Sequence, residues 1–190
     1  DPTMLDQAQK AARFIEKNLF PSGELLRRYA KGQGGIRATL EDYAYFIMGL
    51  LELYQTDFNP HWYELAQELQ KTQDRLFGDP KRPIYYDTDG LDDSLIVRTR
   101  DLYDGATPSA NAVSVLNLLK LTSLSYEDSY EKKAQEILKQ LATDLKKSPA
   151  AYTFMLQGLD YLLDANKEVA ILGSLQKAEM QKMIDLLGAK

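Results

Sequence analysis

The sequence contains six segments with the periodicity of α-helices, and two kinds of apolar pattern alternate among them. In the first, third and fifth segments, the apolar residues lie along one side. The second, fourth and sixth segments are apolar nearly all round, which is typical of helices that are buried on most sides. The six predicted helices comprise residues 4–19, 40–54, 60–77, 108–121, 126–146 and 149–163.

This alternation favours an all-α fold in which antiparallel helical hairpins stack side by side. The one-sided helices would lie outside, between an inner layer and water, and the all-round helices would lie inside among neighbours. A simple up-and-down bundle is the alternative, but it would give all its helices a similar amphipathic pattern. The sequence therefore predicts part of a helical toroid.

Helix-start signals precede the three all-round segments. Thr39 and Asp42 have the spacing of a capping box. The Thr-Pro pair at residues 107–108 and the Ser-Pro pair at residues 148–149 each place a capping residue before a proline. Because proline suits the first turn of a helix, these pairs predict where the fourth and sixth helices begin.

Two long connections, residues 21–38 and 78–106, lead to the starts of the second and fourth helices. Long structured loops often carry function, so a functional rim is expected where these starts meet. In the second connection, residues 84–86 and 95–97 predict a short β-hairpin around an acidic turn. Residues 25–29 predict a further short strand.

The last part of the chain has a different pattern. Residues 169–173 predict a buried strand, and residues 175–187 predict a helix. One strand without a partner is incomplete structure. We therefore expect a hairpin stack over residues 1–165, a strand–helix extension over residues 166–190, and a chain that is a piece of a longer protein.

Composition excludes several classes of function. The net charge of −5 disfavours nucleic-acid binding, which needs a basic surface. No apolar run approaches the roughly 20 residues that span a bilayer, so no membrane partner is expected. The chain has no cysteine and one histidine, His61, which excludes thiolate and multi-histidine metal sites. No metal or cofactor is expected, and the lack of cysteine fits a reducing compartment such as the cytoplasm.

Three aspartates are candidate catalytic carboxylates. Asp42 stands at the start of the second helix, and Asp87 and Asp104 flank the strand-rich part of the second long connection. Two carboxylates in one cleft could divide the acid and base roles that glycoside hydrolysis requires. The alternatives are helix capping for Asp42 and turn formation for Asp87 and Asp104.

Five further residues are candidate substrate contacts near the same rim. The rings of Tyr43 and Tyr86 could stack on a sugar, or pack into the core with a polar tip. Arg28 could bind a carboxylate or phosphate, or pair with acidic residues nearby. Ser109 and Asn111 begin the fourth helix, where backbone amides could bind an anion or be capped locally.

A series of motifs along the chain resembles a known family. In order, the motifs are LRRY at residues 26–29, LEDYAY at 40–45, TQDRLF at 72–77, YDT at 86–88 and DGATPSAN at 104–111. This ordered set resembles the YyaL family of thioredoxin-domain-containing proteins, which includes spermatogenesis-associated relatives. The sequence departs from the family pattern at Gly78, where tryptophan is usual, and at Pro83-Ile84, where a glycine pair is usual.

The resemblance implies a thioredoxin-like domain followed by an (α/α)6 toroid of the six-hairpin glycosidase-like type, similar to N-acylglucosamine 2-epimerases and several glycoside hydrolases. This chain would be the C-terminal part of that toroid. Its partners would be the thioredoxin-like domain and the remaining hairpins of the full-length chain. The implied function is binding or processing of a sugar ligand, by a hydrolase or isomerase. The alternative is a noncatalytic scaffold that accompanies the thioredoxin-like domain.

Overall fold

Seven α-helices, one short 3-10 helix and a two-stranded antiparallel sheet make up the described part of the chain. The computed structural model describes residues 2–92, 95–164, 169, 171, 173–174 and 177–188. The elements are α1 (Pro2–Leu19), β1 (Leu26–Ala30), β2 (Gln33–Arg37), α2 (Leu40–Asp57), α3 (Pro60–Phe77), α4 (Ala110–Ser125), α5 (Asp128–Lys147), the 3-10 helix (Pro149–Ala151), α6 (Thr153–Leu163) and α7 (Ala178–Gly188). The all-α prediction is confirmed, with the addition of this small sheet.

The helices form two layers. Helices α2, α4 and α6 lie side by side with α4 in the middle, while α3 packs on α2 and α5 packs on α4. Helix α1 contacts the sheet and α2, and α7 touches α2. The inner row therefore contains the three helices for which the sequence predicts burial on most sides.

The two helical hairpins, α2–α3 and α4–α5, turn in the same way. Phe58 and Tyr126 end their helices in the left-handed conformation, with φ of 53° and 57°. Their N–H groups donate to the carbonyl oxygens of Tyr54 and Thr122, which satisfies acceptors that a helix end leaves free. Each turn needs only two residues, so the partner helices must run antiparallel and in contact.

Burial supports the inner position of α2 and α4 but not that of α6. Leu40, Ile47, Leu50, Leu118 and Leu121 are completely buried on the first two helices. On α6, only the residues at positions 155 and 158 are fully buried, and its other apolar residues are half-exposed or exposed. The expectation of an encircled sixth helix is therefore wrong for the described residues, because α6 packs closely on α4 alone.

The β-hairpin lies in the first long connection and not in the second. Strands β1 and β2 pair around Lys31 and Gly32, both at positive φ, and such two-residue turns match the twist of a β-hairpin. The strand predicted at residues 25–29 is confirmed as β1. Gly34 allows the hairpin to approach α1, because a Cβ atom there would lie 2.9 Å from the carbonyl oxygen of Asn18.

The hairpin predicted at residues 84–86 and 95–97 is wrong, since neither range forms a strand. Side chains take the backbone groups that a strand partner would need. The Asn111 amide accepts from Tyr85 N at 3.0 Å and donates to Tyr85 O at 3.2 Å. Arg98 donates to the carbonyl oxygens of Leu76 and Thr88. The connection is therefore an irregular loop that is held by side chains.

The C-terminal predictions are tested only in part. The helix expected at residues 175–187 is confirmed as α7, although residues 175–176 lie outside the described residues. The predicted strand at residues 169–173 includes Ala170 and Leu172, which also lie outside them, and it stays a prediction. The division at residue 165 is likewise untested. No helix among the described residues combines the length and hydropathy that crossing a membrane requires.

The central position of α4 leads to a first prediction. Leu118 on α4 is completely buried, so Leu118→Ala should lower the free energy of unfolding by about 2–5 kcal/mol through lost burial and a cavity. Leu163, at the end of α6, is 75% exposed, and Leu163→Ala is the matched control with an expected change below about 0.5 kcal/mol. Urea denaturation measures both values. Equal losses in the two variants would contradict the central position of α4.

Candidate functional site

A single buried carboxylate joins the starts of α4 and α6. Asp104 is 7% exposed. Its Oδ1 atom accepts from Ser109 N at 2.7 Å, and its Oδ2 atom accepts from Phe154 N at 2.8 Å and Met155 N at 3.1 Å. The N–H of Asp104 donates to Ala151 O at 2.9 Å, just before α6. The positive ends of two helix dipoles therefore face one negative charge.

Helix α2 begins at the same rim. Leu40 N donates to Asp87 O at 3.0 Å, which ties the start of α2 to the second long loop. The Tyr45 hydroxyl donates to Pro108 O at 2.9 Å, immediately before α4. The starts of α2, α4 and α6 thus lie close together, as the two long loops predict. The start of α2 at its capping box is confirmed, but Ser109 and not Thr107 caps α4, and Pro149 opens the 3-10 helix, so that α6 begins only at Thr153.

An open cleft of about 280 Å³ lies at this rim, between the starts of α2 and α4. We call it the rim cleft. Its lining combines one guanidinium group, three carboxylates and several hydroxyl groups. The residues that line it are Arg27, Thr39, Glu41, Asp87, Thr88, Asp101, Tyr103, Thr107, Pro108, Ser109 and Ala110.

Asp87 is the predicted catalytic carboxylate that the structure places in the rim cleft. Its Oδ2 atom accepts from the Thr99 hydroxyl at 2.6 Å, and both carboxylate oxygens accept from Asp101 N at 2.9 and 3.1 Å. These bonds hold the loop around the cleft and fix the position of Asp101. Asp87 therefore combines a place in the lining with a structural role.

Asp42 and Asp104 lie outside the cleft lining. Asp42 completes the predicted capping box, since its Oδ2 atom accepts from Thr39 N at 2.7 Å and from the Thr39 hydroxyl at 2.9 Å. Its side chain is 23% exposed, and Arg27 Nη1 lies 3.7 Å away. The oxygens of Asp104 are occupied by three backbone N–H groups. The geometry of Asp42 matches the capping alternative, whereas Asp104 caps two helix starts and does not form the turn that was its alternative. The structure does not bring the three predicted aspartates into one site.

The two predicted stacking tyrosines offer no ring to the rim cleft. Tyr43 is completely buried against Phe77, and its hydroxyl accepts from Leu25 N at 2.7 Å. Burial raises the pKa of the Tyr43 phenol. Tyr86 is half-buried, and the guanidinium carbons of Arg98 and Arg100 lie 4.0 and 3.6 Å from its ring centroid. Cation–π contacts therefore occupy the ring that was expected to stack on a sugar.

The other three predicted substrate contacts, Arg28, Ser109 and Asn111, lie at different places relative to the rim cleft. Arg28 is exposed on β1 and is not part of the cleft lining, whereas its neighbour Arg27 is. Ser109 lines the cleft and caps α4, since its hydroxyl accepts from Ala112 N at 3.2 Å. Asn111 is completely buried, and its amide is fully used by the backbone of Tyr85 and by the carbonyl oxygen of Asp101. Of these residues, only Ser109 reaches the cleft.

Sequence reasoning did not single out three residues of the rim cleft as site residues, Glu41, Asp101 and Tyr103. Glu41 lies in the first turn of α2, and its carboxylate is 3.8 Å from Arg27 Nη2. Asp101 and Tyr103 are exposed in the loop, where Tyr103 N donates to Asp101 Oδ1 at 3.0 Å. Their nearness to helix starts at residues 40 and 110 is the one signal that could have identified them.

Electrostatics at the rim favour the protonated form of the Tyr45 phenol. Burial raises the pKa of the Tyr45 phenol, and the charge of Glu41 raises it further. Tyr45 therefore remains a hydrogen-bond donor near the cleft. Thr88 contributes a buried hydroxyl that has no partner among the described residues. Those residues also include no cluster of three acidic or histidine side chains that could hold a metal ion.

Comparison with known proteins identifies relatives along nearly the whole chain. The chain is 33% identical to spermatogenesis-associated protein 20 of Mus musculus and 31% identical to that of Homo sapiens, and each alignment covers 95% of the chain and 24% of the relative. The chain is homologous to a segment of spermatogenesis-associated protein 20. An uncharacterized protein of Caenorhabditis elegans is 34% identical over 82% of the chain and 22% of its own length. No protein-family profile matches the chain.

Homology to spermatogenesis-associated protein 20 confirms the relatives that the ordered motifs indicated. The chain spans about a quarter of the length of these relatives. The rim cleft lies within the region that aligns with spermatogenesis-associated protein 20, since the alignment covers almost the entire chain.

The contacts of Asp104 lead to a second prediction. Asp104→Asn removes a buried charge that accepts three N–H bonds and turns an amide group towards backbone donors. We expect the free energy of unfolding to fall by roughly 2–4 kcal/mol, because bonds to charged groups are strong and the loss leaves buried donors unpaired. Asp144→Asn, on the exposed side of α5, is the control and should be near neutral. Denaturant unfolding of both variants makes the comparison, and a neutral Asp104→Asn would refute the capping role.

Proposed function

We propose that the rim cleft binds a carbohydrate. The observation that carries this proposal is the convergence of carboxylates and hydroxyl groups at one rim of the helix stack. Sugar hydroxyls both donate and accept hydrogen bonds, so they suit a lining of this mixed kind. Arg27 supplies a donor, and Glu41 and Asp101 supply acceptors that solvent reaches.

The size of the cleft suits a small sugar. Pockets for drug-sized ligands begin at about 300 Å³, and the rim cleft lies near that lower end. We therefore propose a ligand of one or two sugar units.

Two carboxylates in the cleft carry the proposed chemistry. Glu41 and Asp101 are the exposed acids, and each could donate or accept a proton at a sugar oxygen. A pair in which one carboxyl group acts as the acid and the other as the base fits a hydrolase or an isomerase. Asp87 contributes by holding Asp101, and Asp42 and Asp104 act as positioning residues at the helix starts.

The broader architecture is also a proposal. We propose that this chain forms part of an (α/α)6 toroid within a longer protein that carries a thioredoxin-like domain. The row of α2, α4 and α6, with α3 and α5 packed on it, supports it. So does the length of the relatives, which is about four times that of the aligned segment.

A specific observation favours a noncatalytic scaffold as the second candidate. An apolar groove of about 540 Å³ lies between α5 and α6, and leucines 138, 145, 156, 159 and 162 line it. Lys139 and Lys146 line the same groove. An amphipathic helix with acidic flanks fits this combination of charge and apolar surface. In that case Leu159→Asp would destabilise the full-length protein more than it destabilises this chain, in which Leu159 is half-buried against the core.

The carbohydrate proposal is tested by titrating monosaccharides and disaccharides into the isotope-labelled chain and following its amide NMR spectrum. We expect the shifts to concentrate at the rim cleft. The double variant Glu41→Gln/Asp101→Asn should weaken binding by at least about tenfold, because each charged hydrogen bond contributes about 1.5–3 kcal/mol.

The control is Glu64→Gln/Asp144→Asn, which makes the same charge change at exposed positions on α3 and α5. It should bind like the original chain. Unaltered sugar affinity in the cleft variant, or no binding of any sugar by the unmodified chain, would reject the proposal. Both double variants should retain the helical circular-dichroism spectrum.

A further inference from the structure

A second cleft lies away from the rim cleft and has the opposite electrostatic character. It measures about 730 Å³ and is formed by the end of α3, the turn at residues 78–83 and the first turns of α5. We call it the basic cleft. Five basic residues line it, namely Arg75, Lys81, Arg82, Lys132 and Lys133. The chain as a whole has a net charge of −5, so this concentration of positive charge is local.

Two of the five cations are already neutralised. Lys133 Nζ lies 2.7 Å from Asp74 Oδ1, and Arg75 Nη2 lies 3.0 Å from Glu24 Oε1. The other three, Lys81, Arg82 and Lys132, form no salt bridge with any described residue. Since Asp79 pairs with Arg100, Glu136 is the one unpaired carboxylate in the lining. The unpaired groups thus carry a net charge of +2, from three cations and one anion.

The turn that carries Lys81 and Arg82 is rigid. Prolines at positions 80 and 83 restrict its backbone, and Arg82 N donates to Asp79 O at 3.3 Å. Asp79 Oδ1 accepts from Lys81 N at 2.9 Å, while Arg100 and the Tyr86 hydroxyl bind its other oxygen. These contacts fix the backbone beneath both cations, so little backbone entropy is lost when their side chains bind a ligand.

The wall beneath the cations is equally well fixed. Asp74 Oδ1 accepts from Lys133 Nζ, from Gln70 Nε2 at 3.1 Å and from the Tyr85 hydroxyl. Burial and the charge of Asp74 raise the pKa of Tyr85 well above its ordinary value, so this phenol remains a donor. Gly78 packs closely on the end of α3, because a Cβ atom there would lie 2.4 Å from Asp74 O.

We propose that the basic cleft binds a small phosphorylated molecule, a phosphate monoester held by Lys81, Arg82 and Lys132. The three cations outnumber the one unpaired carboxylate of the cleft, so they repel each other, and a bound anion would relieve that repulsion. A phosphate group carries a charge of about −1.5 to −2 at neutral pH and three acceptor oxygens, which matches the net +2 of the cleft. A carboxylate would leave part of that charge unbalanced. The volume leaves room for the organic part of the ligand.

The proposal is independent of sugar binding at the rim cleft, and the experiment keeps the two sites separate. Isothermal titration calorimetry at low ionic strength uses three probes: glucose 6-phosphate, inorganic phosphate and uncharged glucose. We expect glucose 6-phosphate to bind with an affinity that falls as salt is added, because solvent-exposed charges are screened. Comparison with inorganic phosphate shows whether the cleft binds the phosphate group alone or also needs the organic part of the ester. Binding of either phosphate probe supports the site.

The double variant Lys81→Ala/Arg82→Ala should weaken phosphate-probe binding by about tenfold or more, which corresponds to about 1.4 kcal/mol. Lys132→Ala, on a different element, should weaken it independently. The matched control is Lys17→Ala/Lys147→Ala, which removes the same charge from exposed positions at the ends of α1 and α5. The control should change the affinity by less than about twofold.

Two results would overturn the proposal: absence of binding by both phosphate probes, or equal weakening in the cleft variants and the control. A response to glucose that the Lys81/Arg82 change leaves intact belongs to the rim cleft and does not support the basic cleft. All substituted side chains are exposed or half-exposed, so the variants are expected to fold, and circular dichroism verifies that they do.

Discussion

The arrangement of the helices depends on one buried negative charge. Asp104 accepts hydrogen bonds from the backbone N–H groups of Ser109, Phe154 and Met155. It therefore satisfies donors at two helix starts that have no partner inside their own helix. A carboxylate in such a place is costly without partners, and three N–H bonds and two helix dipoles offset that cost. Since the same carboxylate bonds to the starts of both α4 and α6, it sets the spacing of these two helices, although its donors lie up to 51 residues away in sequence.

The functional surfaces follow from that arrangement. Once α2, α4 and α6 start at one rim, the second long loop must cross the starts of α2 and α4, and Asp87 and Asn111 hold it there. The acidic rim cleft forms where this loop meets the helices. The same loop begins with the rigid turn at residues 78–83, which brings cations to the outer side of α3 and α5. One loop therefore contributes to two clefts of opposite charge.

The sequence predicts those features that depend on neighbouring residues. Helix α3 begins and ends at its predicted residues, since Asn59 caps it, Pro60 opens it and Gly78 follows it. The β-hairpin lies around Lys31-Gly32 and not at residues 84–86, because the amide of Asn111 takes the backbone groups of Tyr85 that a strand partner would need. The sequence predicts Asp104 as a catalytic carboxylate or a turn residue, but its observed role as a cap depends on Phe154, 50 residues later. Contacts of that range leave no local pattern in a single sequence.

Amide hydrogen exchange of Ser109, Phe154 and Met155 tests the central role of Asp104 most directly. First-turn amides have no partner inside their own helix and ordinarily exchange fast. We expect all three to be protected in the original chain and to exchange rapidly in Asp104→Ala, while amides in the middle of α3 remain protected. Rapid exchange of the three amides in the original chain, or unchanged protection in the variant, would contradict the account.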